Sequence, residues 1–393
     1  MAPTNEKVSI YVPDDVVFSI LSKLPLKSVK RFTCMHKSWN LFFENPNFMN
    51  ILYKNMISKY HSLYDGASLL LNHRETTDPE WKLHLLSGER FENKLQLNGP
   101  QPFNLNCGYI LGSAINGILC IYDKKYEHMI VLWNPATEQF NHVPEYKARG
   151  NHEFEIHNNH GFGYDHVRDD YKIIQSVYYM GYDVEDIGPF WRIYSLKSNS
   201  WKELYVDMEQ HYSNSSGSVY LNGVCHWWGK KWCRATVGET YVVSFNLYTQ
   251  VPVTTLLPSD LHDLERADRH LTVLNGFVAM ISRYVKNTSF HISVAILVQP
   301  GVNESWIKLF DLGPFSRNMH CIGAGMKGSI FFRKDDDEDN DGDANDSDEE
   351  EDELVCLDLT TGVIQNIDVK AESWRAQILL YKENILPIKG MHN

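Results

Sequence analysis

The first stretch of apolar and polar positions with helical spacing follows Pro13. Its apolar side chains recur three or four positions apart, and acidic residues occupy its first turn, which suits the positive end of a helix dipole. Pro25 cannot continue a helix, so we predict that this helix ends there. Its apolar stripe consists of Val16, Val17, Ile20, Leu21 and Leu24.

Further short helical patterns complete the first sixty residues. One covers residues 26–35, a second begins near Ser38, and a third follows a break at Pro46. Helices this short cannot bury their apolar faces alone, and together they form only a small core. The pattern therefore predicts a helical module over residues 1–60 that a partner protein completes.

Beyond this module the pattern changes to short apolar runs separated by turns, and these runs repeat. A glycine precedes an apolar strand at positions 117, 223, 276 and 328, which are separated by 106, 53 and 52 residues. The first interval thus holds two repeats. Each repeat has an apolar strand, a variable gap, a second apolar strand, a polar turn and a short closing strand, a pattern typical of the blades of a β-propeller.

The remaining residues supply the other blades. Residues 161–201 contain a further repeat, and residues 68–97 fit a degenerate first blade. We expect residues 374–388 to close the ring against that first blade. The predicted fold is α+β and multidomain, with a small N-terminal helical module followed, over residues 61–393, by an all-β propeller of about six blades.

The charge of the chain is concentrated in one segment. The sequence has 37 basic and 50 acidic residues, a formal net charge of −13. Residues 335–353 hold 14 of the acidic residues and no basic one, so the remainder is nearly neutral. We expect a solvated, disordered loop inside the last blade. One interpretation is a tolerated insertion. The other is that its negative charge favours basic targets, or makes it fold back over a basic loop of the propeller.

The helical module resembles an F-box in the order and spacing of its residues. The segments that carry the resemblance are Val12-Pro13-Asp14, Ile20-Leu21, Leu24-Pro25, Lys27-Ser28, Arg31-Phe32, Cys34, Lys37-Ser38-Trp39 and Phe48. Within and beside these segments, the residue types at Val12, Lys30, Met35 and His36 depart from those usual in the family. The resemblance implies docking onto a Skp-type adaptor, and through it onto a cullin. The docking residues that it implies are Pro13, Ile20, Leu21, Leu24, Pro25, Val29 and Trp39.

A second resemblance covers most of residues 105–370. The run NGILCI that begins at Asn116, with LWNPATEQF and VP after it, is similar to the F-box-associated interaction domain of plant F-box proteins, including S-locus F-box proteins. Together the resemblances imply a substrate-recognition adaptor of an SCF-type E3 ubiquitin ligase, which holds a target protein and is not itself an enzyme. Two other functions stay open: an F-box scaffold without a role in ubiquitination, and a propeller that binds a glycan or other ligand.

The target is expected to bind the segments that vary most between repeats. These connect the second and third strands of the predicted blades, and antiparallel blades place such connections on one face. They are residues 123–128, 179–188, 229–239, 284–289 and 335–353. Because aromatic and cationic residues are enriched at binding hot spots, we predict target binding by Tyr179, Tyr182, Trp228, Lys230, Lys231, Trp232 and Arg234. Trp227 is expected in the blade core, and a core position is also open for Trp228 and Trp232.

We predict no catalytic residue, no metal and no cofactor. A G-x-G-x-x-G run from Gly323 to Gly328 leads into an apolar strand and not into the helix that dinucleotide binding requires. Two groups of possible metal ligands lack the close paired spacing of a zinc site. They are His152, His157, His160 and His166, and Cys225, His226 and Cys233.

We expect the protein in the cytoplasm, the nucleus or both. Its N-terminus lacks the basic and apolar regions of a secretory signal, and no apolar run approaches the ~18 residues of a membrane span. The nearly neutral charge outside the acidic segment argues against a nucleic-acid partner. We therefore expect partner proteins only, with neither nucleic acid nor membrane.

Overall fold

A helix is described in the N-terminal part of the chain, and β-strands make up most of the described residues beyond it. The structure, a computed structural model, divides into two units, Met1–His61 and Ser62–Asn393. In the first unit it places the helix α1 (Asp14–Leu21). The residues that it describes are 13–24, 28, 45, 47–48, 51, 67–75, 78–88, 91–100, 108–123, 129–146, 154–180, 190–206, 208, 217–230, 239–262, 267–334, 353–370 and 376–385.

The described residues of the second unit form six antiparallel sheets of four strands each. The first blade combines β1 (Ala67–Glu75), β2 (Asp78–Ser87) and β3 (Asn93–Leu97) with the last strand of the chain, β24 (Gln377–Lys382). The second contains β4 (Gly108–Ile110), β5 (Leu119–Asp123), β6 (Ile130–Trp133) and β7 (Phe140–His142), and the third β8 (Phe154–Asp165), β9 (Asp170–Met180), β10 (Phe190–Ser195) and β11 (Ser200–Leu204).

The other three blades have the same strand order. The fourth contains β12 (Val219–Leu221), β13 (Val224–Lys230), β14 (Thr240–Asn246) and β15 (Val251–Leu256), and the short helix α2 (Ser259–His262) follows it. The fifth contains β16 (Asp268–Leu274), β17 (Phe277–Lys286), β18 (Ser289–Leu297) and β19 (Trp306–Phe315). The sixth contains β20 (Met319–Ala324), β21 (Ser329–Lys334), β22 (Glu353–Asp358) and β23 (Val363–Lys370), and 3-10 turns occur at Asn303–Ser305 and Met326–Gly328.

The inner strands of the blades surround a central channel of ≈ 200 Å³. Ile110, Val219, Leu271, Ile322 and Ile378, each from a different inner strand, line it. The ring closes because β24, the last strand, pairs antiparallel with β1, the first. The structure therefore confirms the predicted propeller, its six blades and the closing role of the C-terminal segment.

Asn-Gly turns account for the repeat in the sequence. In three blades the inner strand returns into the second strand through a two-residue turn in which both residues have positive φ, a backbone conformation that asparagine and glycine adopt most readily. Each of these three blades has one such turn at the same place, which makes the period visible in the sequence. The pairs are Asn116-Gly117 (φ 49° and 79°), Asn222-Gly223 (50° and 84°) and Asn275-Gly276 (48° and 76°).

Two predicted loop segments differ from the structure. Residues 284–289, expected as a variable recognition loop, form the ends of β17 and β18 joined by a tight turn of Asn287 and Thr288, both with positive φ. In the acidic segment, Glu353 is the first residue of β22 and forms an ion pair with Lys334 (Nζ to Oε2, 3.1 Å). Residues 335–352 lie outside the described residues.

The apolar core is divided among the interfaces between neighbouring blades. Between the second and third blades, for example, Leu132 and Cys120 pack in one cluster with Phe162 and Ile173, and all four are buried. Because successive residues of a strand point to opposite faces, a blade that is buried on both faces needs apolar residues at consecutive positions. This explains runs such as β6, Ile130–Trp133, in which every residue is buried.

Candidate interaction surfaces

The helix α1 begins at the predicted position and has two apolar sides. The carbonyl of Pro13 accepts hydrogen bonds from the N–H groups of Val16 and Val17, both at 3.0 Å, which starts the helix. Val17 is buried, and Phe18 packs edge to face against Phe48 with ring centroids 5.1 Å apart. One side of the helix thus contributes to packing, while the other presents apolar groups to solvent.

The predicted docking residues do not share one environment. Pro13 is exposed, Ile20 is 52% exposed, Leu24 is half-buried and Leu21 is only 3% exposed. The stripe read from the sequence is therefore divided: Ile20 is available to a partner, whereas the burial of Leu21 gives it a packing role. Pro25, Val29 and Trp39 lie outside the described residues, and docking through this set stays a prediction.

The exposed face of α1 has one member that the predicted docking residues do not include. Val16 is 41% exposed and lies four residues before Ile20, so both side chains occupy the same side of the helix. Ile51, also in the N-terminal unit, is 40% exposed. The helical period alone placed Val16 in the stripe, but it did not show which members of the stripe stay exposed.

The structure describes three of the seven predicted target-binding residues, Tyr179, Trp228 and Lys230. Tyr182, Lys231, Trp232 and Arg234 lie outside the described residues. The backbone of Tyr179 pairs with Glu155 in the third blade, and that of Lys230 pairs with Thr240 at the end of β13. Their contribution to target binding stays a prediction.

Trp227 and Trp228 are both core residues, on opposite faces of β13. Trp227 is 4% exposed and packs with Trp191 of the third blade, which confirms its predicted core position. Trp228 is 5% exposed and packs with Val242 and Leu271 towards the fifth blade. This placement corrects the expectation that the Trp228 ring faces a target: alternation along the strand directs it into the next blade interface.

A polar cluster between the fifth and sixth blades was not predicted from the sequence. The guanidinium of Arg283 donates to Asn318 (Nη1 to Oδ1, 2.6 Å), and Asn318 lies 3.0 Å from His320 (Nδ2 to Nε2). His320 in turn contacts Asp268 (Nδ1 to Oδ2, 3.2 Å), and this hydrogen bond lowers the pKa of Asp268. The side chains of Asp268 (48% exposed) and His320 (30% exposed) remain partly accessible to solvent.

The location of this cluster makes it part of the predicted target face. β17 runs past Arg283 into the connection between the second and third strands of its blade, and β20 begins at Met319, directly after the link from the fifth blade. Both ends lie on one side of the ring because the strands of each blade alternate in direction. Only the fold could reveal the cluster, since Asp268 and His320 are 52 positions apart.

Two buried histidines are paired with serines inside the blades. His160 Nε2 lies 2.7 Å from Ser176 Oγ, and His226 Nδ1 lies 2.8 Å from Ser244 Oγ. Burial lowers the pKa of His160 to about 3 and that of His226 to about 4, so both rings are neutral at neutral pH. Burial thus keeps each ring uncharged, and a serine hydroxyl group is its hydrogen-bond partner.

These histidines predict acid sensitivity of the propeller. Unfolded histidine titrates near pH 6.5, and the folded rings resist protonation, so stability is complete above that pH and falls as the pH drops towards 4. We expect His226→Asn, which can still hydrogen-bond to Ser244, to reduce by about 1 to 2 kcal/mol the loss of unfolding free energy between pH 7 and pH 5. Urea unfolding at several pH values measures this, with His142→Asn at an exposed position as the control. An unchanged pH slope in the His226 variant would contradict it.

Residues that were weighed as possible metal or cofactor ligands belong to other features where the structure describes them. The glycine run enters a 3-10 turn, Met326–Gly328, and then β21, as expected of a strand connection. His160 and His226 contact serines as described above. In the part of the chain that the structure describes, no three His, Cys, Asp or Glu residues are grouped as they would be around a metal ion. No helix among these residues has the length and apolar character needed to cross a membrane.

Two known protein families match this chain, one in its N-terminal part and the other in the propeller. The family described as F-box associated beta propeller domain matches residues 91–388, and the F-box domain family matches residues 12–50. The chain is 26% identical to the Arabidopsis thaliana F-box protein At3g16210 over 62% of its own length, and this match spans 59% of that protein. It is also similar to the Arabidopsis thaliana F-box/WD-40 repeat-containing protein 1 (26% identity, 79% of this chain and 71% of the relative) and F-box protein ETP2 (24%, 82% and 81%).

Proposed function

The chain belongs to the family of F-box proteins that carry an F-box associated beta propeller domain, and we propose that it is the substrate-recognition adaptor of an SCF-type E3 ubiquitin ligase. In this role the F-box segment binds a Skp-type adaptor, which connects it to a cullin. The propeller binds a target protein and holds it near a ubiquitin-loaded enzyme. The contribution of the chain to the reaction is then proximity.

The exposed apolar face of α1 is the observation that carries the proposal. Val16 and Ile20 are 41% and 52% exposed, although a helix in water normally turns its apolar residues inwards. An amphipathic helix of this kind binds a hydrophobic groove on another protein through side chains spaced by three or four residues. The face lies within the residues that match the F-box family.

The propeller supports the second half of the proposal by providing a closed and rigid scaffold. A ring that ends with β24 paired to β1 fixes the relative positions of all six blades. Binding residues on connections are effective when such a scaffold holds them in place. The polar cluster around Asp268 and His320 is one described part of this surface.

We further propose that the protein itself has no catalytic activity and acts in the cytoplasm, the nucleus or both. In an adaptor, the chemistry of ubiquitin transfer belongs to the other subunits. Besides the Skp-type adaptor and the cullin, the partner that we propose is the target protein.

Reconstitution with purified components tests this function. The full-length chain is mixed with a Skp-type adaptor, a cullin and its ubiquitin-transferring partners, and complexes are measured by size-exclusion chromatography with light scattering. We expect the chain to enter the complex at one copy per adaptor. We also expect proteins captured from plant extract on the full-length chain to be ubiquitinated in its presence.

The same experiment separates the two other functions. A scaffold without a role in ubiquitination would enter the complex but leave every captured protein unmodified. A ligand-binding propeller with an incidental helical module would not bind the adaptor at all. Either outcome would overturn the proposed function.

A further inference from the structure

Aromatic rings and one carboxylate meet at the border of the second and third blades. Tyr205, which follows β11, is 93% exposed, and its hydroxyl donates to Glu203 (Oη to Oε2, 3.1 Å). The hydroxyl of Tyr146, in the link from the second blade, donates to the other oxygen of the same carboxylate (Oη to Oε1, 2.7 Å). The rings of Tyr146 and Phe190 have their centroids 6.0 Å apart. We call these four residues the Glu203 cluster.

The Glu203 cluster lies on the predicted target face. Tyr146 follows β7, the last strand of the second blade, and Tyr205 follows β11, the last strand of the third. Phe190 begins β10, directly after the connection between the second and third strands of its blade. Because the strands of each blade alternate in direction, these three points lie on the same side of the propeller. Three separate segments of the chain thus place side chains around one carboxylate.

The side chains of this cluster are accessible to a partner. Glu203 and Tyr205 are exposed, and Tyr146 and Phe190 are half-buried. The two tyrosine hydroxyls hold the carboxylate in one orientation. A carboxylate offers about four acceptor sites, so two tyrosine donors do not exhaust it. A donor from a partner can therefore reach Glu203 beside the exposed ring of Tyr205.

The chemistry of the cluster favours a cation. Its neighbouring rings already bind one, since the guanidinium carbon of Arg192 lies 4.7 Å from the centre of the Tyr146 ring and 4.6 Å from that of Trp201. Arg192 is 1% exposed and donates from Nε to Gln175 (Oε1, 2.6 Å), so its charge is enclosed within the blade. Within the cluster, the charge presented to solvent is that of Glu203. A carboxylate next to an exposed aromatic ring attracts a cation through its charge and through the electron-rich face of the ring.

We propose that the Glu203 cluster binds an arginine side chain of the target protein. The guanidinium would stack on the ring of Tyr205 and donate to the carboxylate of Glu203, much as the guanidinium of Arg192 lies against the rings below. Arginine fits this site better than lysine because its planar guanidinium stacks on aromatic rings and is more weakly hydrated. The inference rests on the proposed function in one respect, that the arginine belongs to a target protein.

Three peptides that differ in one side chain test the site on the full-length protein. They are acetyl-Gly-Ser-Arg-Ser-Gly-amide and its counterparts with lysine or citrulline in place of arginine; citrulline has nearly the shape of arginine without its charge. With tyrosine rings labelled by carbon-13, the Tyr205 resonance is identified through Tyr205→Phe. We expect the arginine peptide to shift that resonance in a saturable manner. It should bind about fivefold more tightly than the citrulline peptide and about twofold more tightly than the lysine peptide.

Two substitutions separate this site from other negative charge on the chain. Glu203→Gln removes the charge but keeps an acceptor for the tyrosines, whereas Glu138→Gln makes the same change at an exposed position between β6 and β7, on the opposite side of the propeller. We expect Glu203→Gln to weaken binding of the arginine peptide about threefold, and Glu138→Gln to leave it unchanged. The acidic residues 335–353 attract any cationic peptide equally in both variants, so they do not account for such a difference.

Three results would overturn the inference. The first is the absence of a saturable shift of the Tyr205 resonance up to about 10 mM arginine peptide. The second is binding of the citrulline or lysine peptide as tight as that of the arginine peptide. The third is equal binding by the wild type and Glu203→Gln. Binding to a Skp-type adaptor is measured on the same samples, so that failure of the proposed function is recognised separately from failure of this site.

Discussion

Replacing Val16 and Ile20 together by aspartate is expected to weaken binding of the full-length chain to a Skp-type adaptor by about a hundredfold or more. Both side chains are among the most exposed apolar groups of the N-terminal unit within the described residues. A partner that covers them gains the free energy of removing apolar surface from water. Aspartate at the same positions removes this gain and adds the cost of burying a carboxylate.

The size of the effect follows from the two side chains. Completing the burial of a half-exposed valine or isoleucine contributes about 1 kcal/mol, and an unpaired carboxylate adds a penalty of similar or larger size. For two positions the sum is about 3 to 4 kcal/mol, which corresponds to a factor of hundreds in the dissociation constant. Neither side chain is buried in the chain itself, so its thermal unfolding should change little.

Isothermal titration calorimetry of each purified variant with the adaptor measures this prediction. Val167→Asp is the matched control, because Val167 belongs to the propeller and is 66% exposed. It receives the same substitution at an exposed apolar position and should bind the adaptor as the wild type does. Unchanged affinity of the double variant would exclude the exposed face of α1 as the docking surface.

Leu21→Asp distinguishes a docking residue from a packing residue. Since Leu21 is 3% exposed, the substitution should lower the stability of the N-terminal unit and reduce adaptor binding only as a consequence. Loss of helical circular dichroism together with loss of binding would show this. If Leu21→Asp binds weakly while its helix is intact, Leu21 contacts the adaptor directly.

Replacing Gln377 by leucine is expected to lower the free energy of unfolding of the propeller by roughly 2 to 4 kcal/mol. Gln377 begins β24 and contacts the inner strand of the second blade. Its Oε1 accepts the N–H of Ile110 at 3.0 Å, and its Nε2 donates to the carbonyl of Ile110 at 2.9 Å. It also accepts a hydrogen bond from Nδ2 of Asn72 at 3.0 Å.

The physical reason is that leucine leaves both backbone groups of Ile110 without their partner. Ile110 is buried and loses two hydrogen bonds, whereas Asn72, also buried, loses one but keeps the bond from its Nδ2 to the carbonyl of Gly108 at 3.1 Å. An unsatisfied buried group costs about 1 to 3 kcal/mol. Water entering from the central channel would reduce this cost, which sets the lower end of the expected range.

A second group of contacts holds the chain beyond β24 against the second blade. The backbone carbonyl of Asn384 accepts a hydrogen bond from Nδ2 of Asn134 at 2.8 Å. The side-chain Nδ2 of Asn384 donates to the carbonyl of Asn116 at 2.9 Å. A Cβ on Gly117 would lie 2.7 Å from that of Asn384, so only glycine allows this approach. The C-terminal segment therefore joins the first blade to the second as well as completing the first.

Urea unfolding followed by tryptophan fluorescence measures the effect of Gln377→Leu. Lys382→Ala is the control, because Lys382 ends the same strand and its side chain is exposed. It should change stability by less than about 0.5 kcal/mol. If both variants unfold at the same urea concentration, the polar contacts of Gln377 contribute nothing to ring closure.

The blades were predictable because their determinants are local. A turn with two positive φ angles requires Asn-Gly or a similar pair, and such pairs stand at 116, 222 and 275 in the sequence. Alternation and apolar runs then identify the strands on either side. The closing strand was also found, although its observed bounds, Gln377–Lys382, are narrower than the predicted residues 374–388.

The exposure of the predicted binding residues could not be read from the sequence, because exposure depends on neighbours that are distant in sequence. Period two along β13 shows that Trp227 and Trp228 face opposite sides, but a strand alone does not reveal that both sides are covered by blades. Likewise, helical spacing identified Ile20 and Leu21 without showing that one is exposed and the other buried.

The sequence by itself thus determined the helical module, the repeated blade and the absence of familiar catalytic motifs, since each depends on residues a few positions apart. Tertiary structure alone decided which apolar groups remain exposed and which distant polar groups meet. Gln377 and Ile110 are separated by 267 positions, yet they form two hydrogen bonds because ring closure brings the last strand beside the second blade. Such contacts arise from the packing of whole blades, and no local pattern encodes them.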